Sequence, residues 1–161
     1  MTGTVLQGRS AFVTGSTQGV GLEIAAALSA AGAGVVLHGL RSDAAALLAA
    51  ERCGTVDRPA PLICCDLADP MPDGPLQAAE AAVHQNPQID LLVCNAGITG
   101  QAGPFAAIDM DDYARVMAIN LKGVFFTCKY GIPHLVDAGG GSIVVVGSVS
   151  ALRGFTLPQD A

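Results

Sequence analysis

Residues Ser10-Ala11-Phe12-Val13-Thr14-Gly15-Ser16-Thr17-Gln18-Gly19-Val20-Gly21 carry the clearest signal in the chain. Ser10–Thr14 has the composition of a short strand, and residues of helical period run from about Val20 to Ala31. Between them three glycines are spaced G-x-x-x-G-x-G, which differs from the G-x-G-x-x-G commoner at such turns. Glycine permits a tight backbone path and lets a ligand approach the main chain closely. The helix that follows offers unpaired N–H groups and the positive end of its dipole to an anion. Gly15, Ser16, Thr17, Gln18, Gly19, Val20 and Gly21 are therefore candidates to hold the phosphates of a nucleotide. Glycines also end strands for purely structural reasons, and the turn alone does not decide between the two.

Outward from this unit the same alternation repeats. Val35–His38 is predicted as a second strand and Ala44–Arg52 as a second helix capped by Ser42 or Asp43. Leu62–Cys65 gives a third strand, and Pro75–Gln85 a third helix with Pro in its first turn. Ile89–Cys94 is a fourth strand and a short helix is expected near Ile108. The longest helix is expected over Met110–His134 with Asp109 as its cap, and Gly139-Gly140-Gly141 breaks the chain before a fifth strand, Ser142–Val146. Strands alternating with helices imply βαβ units, hence a doubly wound parallel sheet with helices on both faces, the Rossmann arrangement. With no internal repeat, low-complexity stretch or linker, residues 1–161 read as a single domain.

Composition agrees. The chain is 51% hydrophobic but only 4% aromatic, so its apolar residues are mostly Ala, Val, Leu and Ile, suited to strands buried on both faces. A net charge of −6 with scattered basic residues argues against nucleic acid. No apolar run approaches the roughly 18 residues of a membrane span, and the N-terminus lacks a secretory pattern, so a cytoplasmic protein is expected. The five cysteines are odd in number and lack C-x-x-C spacing, which suits small buried hydrophobes in a reducing compartment and no metal. None of His38, His84 and His134 reads as a ligand or base.

Four motifs in order resemble the short-chain dehydrogenase/reductase family, over nearly the whole chain from Arg9 onward. Thr14-Gly15-Ser16-Thr17-Gln18-Gly19-Val20-Gly21 is similar to its T-G-x-x-x-G-x-G fingerprint. Cys94-Asn95-Ala96-Gly97 resembles N-N-A-G, with Cys94 in place of the first Asn. Asn120 matches the family's catalytic Asn in the long helix, and Gly141 to Val149 resembles the fifth strand and the catalytic Ser, here Ser148. Ser150 is an alternative to Ser148. The resemblance implies that Asn95, Ala96 and Gly97 border the cofactor, and that Asp66 and Leu67 contact adenine, although Asp66 is equally placed to cap the following segment. It also implies an oxidoreductase moving hydride between a nicotinamide and a carbonyl or alcohol substrate, homo-oligomeric when complete. Similarity around His38–Arg41 and Asn95–Thr99 leans toward 3-oxoacyl carrier-protein reductases.

In NAD-preferring members an acidic residue closes the second strand. That slot is Gly39 here, the next carboxylate is Asp43, and Arg41 is near enough to pair with a 2′-phosphate, so NADP is the expected cofactor, with NAD allowed. A solvated loop arginine is the plainer account of Arg41. The family's general acid is a Tyr with Lys four residues later, and neither Tyr113 nor Tyr130 has that neighbour. The 161 residues are therefore expected to be inactive alone, either as a piece of a longer enzyme or as a nucleotide-binding remnant or regulatory module without catalysis. Ser142–Val146 would then form an exposed, aggregation-prone edge.

Overall fold

The computed structural model describes residues 5–55, 57–69, 74, 78, 80–82, 84, 86 and 88–152. Five strands, β1 (Ser10–Val13), β2 (Gly34–Gly39), β3 (Leu62–Cys64), β4 (Leu91–Cys94) and β5 (Ser142–Val145), form one parallel sheet in the order β3-β2-β1-β4-β5. The chain runs outward one way from β1 to β3 and then crosses back to place β4 on the other side of β1. Strand order thus reverses between β1 and β4, opening a crevice beyond their C-terminal ends.

Alternation along the central strands divides the core in two. Ala11, Val13, Val35, Leu37 and Val93 face α1 (Gly19–Ala30) and α2 (Ala44–Cys53), meeting Ala25, Ala49 and Ala50. Phe12, Val36, Ile63, Leu92 and Cys94 face the opposite layer, meeting Ala78, Ala82 and Leu135. The small alanines let helices lie close to the sheet, which explains how a chain so poor in aromatics still fills its core. β5 is an edge strand whose four residues are all exposed. The helix expected over 75–85 falls largely outside the described residues, although Ala78, Glu80, Ala81, Ala82 and His84 are helical. Among the described residues no helix is long and apolar enough to cross a membrane.

Two predicted caps are formed. Asp43 accepts from the Ala46 N–H at 2.9 Å to start α2. Asp109 accepts from the N–H groups of Asp111 and Asp112 at 2.7 and 3.3 Å to start α3 (Met110–Met117). The single long helix expected over Met110–His134 differs from what is observed. α3 passes into a π-helical turn, Ala118–Gly123, before α4 (Val124–Asp137) resumes. The widened turn holds Asn120, a poor helix former whose amide is bonded outside the helix.

Candidate active site

The crevice between the ends of β1 and β4 is a cavity of about 410 Å³. Its floor is the glycine turn. Gly15 has φ +63°, the left-handed region, and a Cβ there would stand 2.8 Å from the Ala96 Cα. A Cβ on Gly21 would collide with the Gly15 carbonyl and the Asn95 amide. Both positions therefore require glycine, and the bare main chain they leave is the surface a pyrophosphate needs. α1 begins at Gly19 with no side-chain cap, so the N–H groups of its first turn face the crevice without a side-chain partner.

The turn is held in place by the end of β4. Asn95 Nδ2 donates to the carbonyls of Thr14 and Gly15 at 3.1 and 3.0 Å. Thr14 Oγ1 accepts from the N–H groups of Asn95 and Ala96 at 3.0 and 3.1 Å, and donates to the Val93 carbonyl at 3.4 Å. The two motifs singled out in the sequence thus interlock through one hydroxyl and one amide. Asn95 supports the cradle with its side chain, while Ala96 and Gly97 line it.

His38 secures the other side. Its ring is 4% exposed, with Nδ1 accepting from the Gly15 N–H at 3.1 Å and Nε2 at 3.2 Å from the Cys65 carbonyl. Because Gly15 can only donate, the proton of the neutral ring sits on Nε2 and is given to Cys65. Burial holds the imidazole down to about 4, against weaker opposing effects from the Cys65 carbonyl and the Asp66 carboxylate. Sequence inspection did not single out His38. Its place at the end of the second strand, one residue before Gly39, is the signal that was available.

The remaining candidates divide. Gly15, Thr17, Gln18, Gly19, Val20 and Gly21 line the crevice, as do Asp66, Leu67, Ala96 and Gly97. Ser16 does not: it is fully buried, donating to the Val13 carbonyl at 2.7 Å and accepting from the His38 N–H at 3.0 Å. Asp66 serves as a local cap, accepting from Ala68 N–H at 2.8 Å, while still bordering the cavity. Arg41 is exposed, just past the lining residue Leu40. Asn120, in the π turn, accepts from the Ile98 N–H at 2.9 Å and donates to the Ile98 carbonyl at 2.8 Å, which fixes the path of the chain after β4. One N–H and one lone pair of that amide remain for another partner. Ser148 Oγ accepts from the Ser150 N–H and donates to Ser150 Oγ, both at 3.2 Å, so the two serines form a pair.

The expectation of small buried cysteines holds for Cys53 and Cys94, while Cys65 and Cys128 are half-buried and Cys64, at the end of β3, is exposed, which corrects it. Burial, reinforced by its neighbour, pushes the Cys94 thiol up to about 12; it lies 3.8 Å from Cys128 Sγ. Burial likewise pushes Cys65 up to about 11.

Residues 9–158 match the short chain dehydrogenase family, and the chain belongs to that family. It is 34% identical over 152 residues to 2-dehydro-3-deoxy-L-rhamnonate dehydrogenase (NAD(+)) of a Sphingomonas species, covering 91% of this chain and 56% of that protein. It is 36% identical over 147 residues to D-threitol dehydrogenase of Mycolicibacterium smegmatis, covering 91% and 55%. A short chain dehydrogenase from Burkholderia cenocepacia, solved in complex with NADP, superposes with a TM-score of 0.85 at 32% identity, covering 94% of this chain and 60% of that one. The chain therefore spans rather more than half the length of these relatives.

Proposed function

We propose that this chain is the cofactor-binding portion of an NADP-preferring oxidoreductase that interconverts a carbonyl and an alcohol. The observation that carries the reading is the glycine turn, left bare toward the crevice and clamped from below by Asn95 and His38. The free N–H groups at the start of α1 suit a pyrophosphate, and Asp66 and Leu67 border the end of the crevice where an adenine would lie. A bound nicotinamide dinucleotide supplies the hydride. The protein's part is to hold it, to exclude water and to present polar groups to the substrate. Arg41 is the cation assigned to a 2′-phosphate, Ser148 the hydroxyl assigned to the substrate oxygen, and Asn120 the amide that fixes the chain beside them.

Neither tyrosine in these residues has a lysine at the fourth following position, so nothing here serves as the proton donor, and the 161 residues alone are assigned no turnover. The complete protein is proposed to work in the cytosol and to self-associate. Support for self-association comes from Leu121 and Phe125, which are 57% and 62% exposed on the helical arm. The test is a fluorescence titration of the full-length protein with NADPH and NADH, followed by turnover of simple ketones. Tighter binding of NADPH with turnover is the expected outcome. NADPH binding without turnover of any carbonyl or alcohol would leave a nucleotide-binding module, and no binding would end the proposal.

A further inference from the structure

Gly39 occupies the position where an acidic side chain would select NAD, and the structure gives a reason why it is glycine. Its φ is not positive, so the backbone there would accept any residue. Space is the obstacle. A Cβ on Gly39 would stand 2.5 Å from Thr17 Cγ2, 3.0 Å from Thr17 Oγ1 and 3.3 Å from Thr17 Cβ. Both γ groups of Thr17 thus point into the volume that a residue-39 side chain needs. Rotation does not relieve this. Threonine has two γ substituents and three staggered positions, so at least one of the two positions facing Gly39 is always filled. Gly39 is buried beneath Thr17, which leaves the strand no easy retreat.

From this packing, and resting on the cofactor reading above, we infer that Thr17 is a specificity-determining residue. Its branched side chain fills the acidic slot at Gly39 and sets a neutral hydroxyl where NAD-selective sites place a carboxylate. A cofactor 2′-phosphate then meets no negative charge at the strand end, and a single substitution at Gly39 is not enough to install one. Selectivity is written in a pair of residues from two different strand ends.

The experiment is a double-mutant cycle in the full-length protein, read first by thermal unfolding without cofactor. Gly39→Ala should lower Tm by about 3–8 °C, the effect of overpacking a buried site, and Thr17→Ala should cancel most of that loss. Gly39→Asp is then compared with and without Thr17→Ala for binding of NADPH and NADH. The paired variant should bind NADH about tenfold or more tighter than Gly39→Asp alone, the size of one well-placed charged hydrogen bond. An unchanged or raised Tm for Gly39→Ala, or a complete switch to NADH by Gly39→Asp alone, would overturn the inference while leaving the cofactor reading intact. A wild-type protein that binds neither dinucleotide would remove the reading and the inference together. Those two failures are told apart by the wild-type NADPH titration.

Discussion

Acid should loosen this protein through one buried ring. His38 sits under the glycine turn at 4% exposure, and burial holds its pKa down to about 4, where an unfolded histidine takes a proton near 6.5. Above pH 6.5 the ring is neutral whether the chain is folded or not, and the full stability is present. As pH falls below 6.5 the unfolded chain binds a proton that the folded one refuses, so stability declines. The decline continues down to about pH 4, where the folded ring also protonates and the loss levels off. Each pH unit of that window is worth up to about 1.4 kcal/mol, so the total is about 3 kcal/mol. Protonation of the folded ring, near pH 4, also removes the acceptor for the Gly15 N–H, so dinucleotide affinity should hold down to about that pH and fall below it. Urea unfolding at a series of pH values, comparing the wild type with His38→Asn, isolates the effect. The asparagine amide accepts from Gly15 but never titrates, and the carboxylates contribute equally to both proteins. The stability advantage of the wild type should shrink by about 3 kcal/mol between pH 7 and 4. Parallel curves, or a His38 ring that titrates near 6.5 by NMR, would refute this account.

Asn95→Ala strips the donors from two main-chain carbonyls and should cost about 1–3 kcal/mol in urea unfolding, together with a marked loss of NADPH affinity. Arg41→Ala should weaken NADPH by about 1–3 kcal/mol in a binding titration and leave NADH nearly unchanged; equal losses would remove Arg41 from the 2′-phosphate. In the full-length enzyme Ser148→Ala should lower kcat far more than it alters cofactor Kd, because the hydroxyl is assigned to substrate. If Ser150→Ala is the damaging change instead, the roles within the serine pair are reversed. Expressed by themselves, the 161 residues should self-associate on size-exclusion chromatography through the uncharged edge of Ile143, Val144 and Val145, and a monodisperse monomer would contradict that.

What the sequence made legible was what local pattern encodes. The strand–turn–helix unit at Ser10–Gly21, the alternation that follows and the caps at Asp43 and Asp109 all depend on neighbours within a few residues. The glycine turn and Asn95-Ala96-Gly97 were legible as motifs, yet their interlock through Thr14 Oγ1 joins residues 81 positions apart or more and leaves no periodic trace. His38 reads from sequence as neither ligand nor base for the same reason: its partner Gly15 lies 23 residues away, and its place at the end of β2 is the one local cue. The π turn was hidden because the apolar period continues through it, and the bond that its Asn120 makes to Ile98 is tertiary. Ser16 reads as a phosphate-facing residue from its place in the motif, whereas its hydroxyl turns inward to join β1 to β2. Packing against Thr17 explains why Gly39 lacks a side chain, a fact that sequence could only record as a missing carboxylate.

Every residue lining the crevice lies between Gly15 and Ile119. During synthesis, which proceeds from the N-terminus at about 5–20 residues per second, the entire dinucleotide cradle is made seconds before Ser148. Its four strands, β3-β2-β1-β4, already contain the reversal of order that creates the crevice, and β5 adds only at the edge. The lining residues therefore leave the ribosome ahead of Ser148, and the crevice can form before the serine pair has emerged. Any cofactor captured at that stage stabilises the half-made sheet in proportion to its concentration over Kd. On the proposed cofactor reading, dinucleotide supply would bear on how much of the protein matures, separately from any turnover of the mature protein.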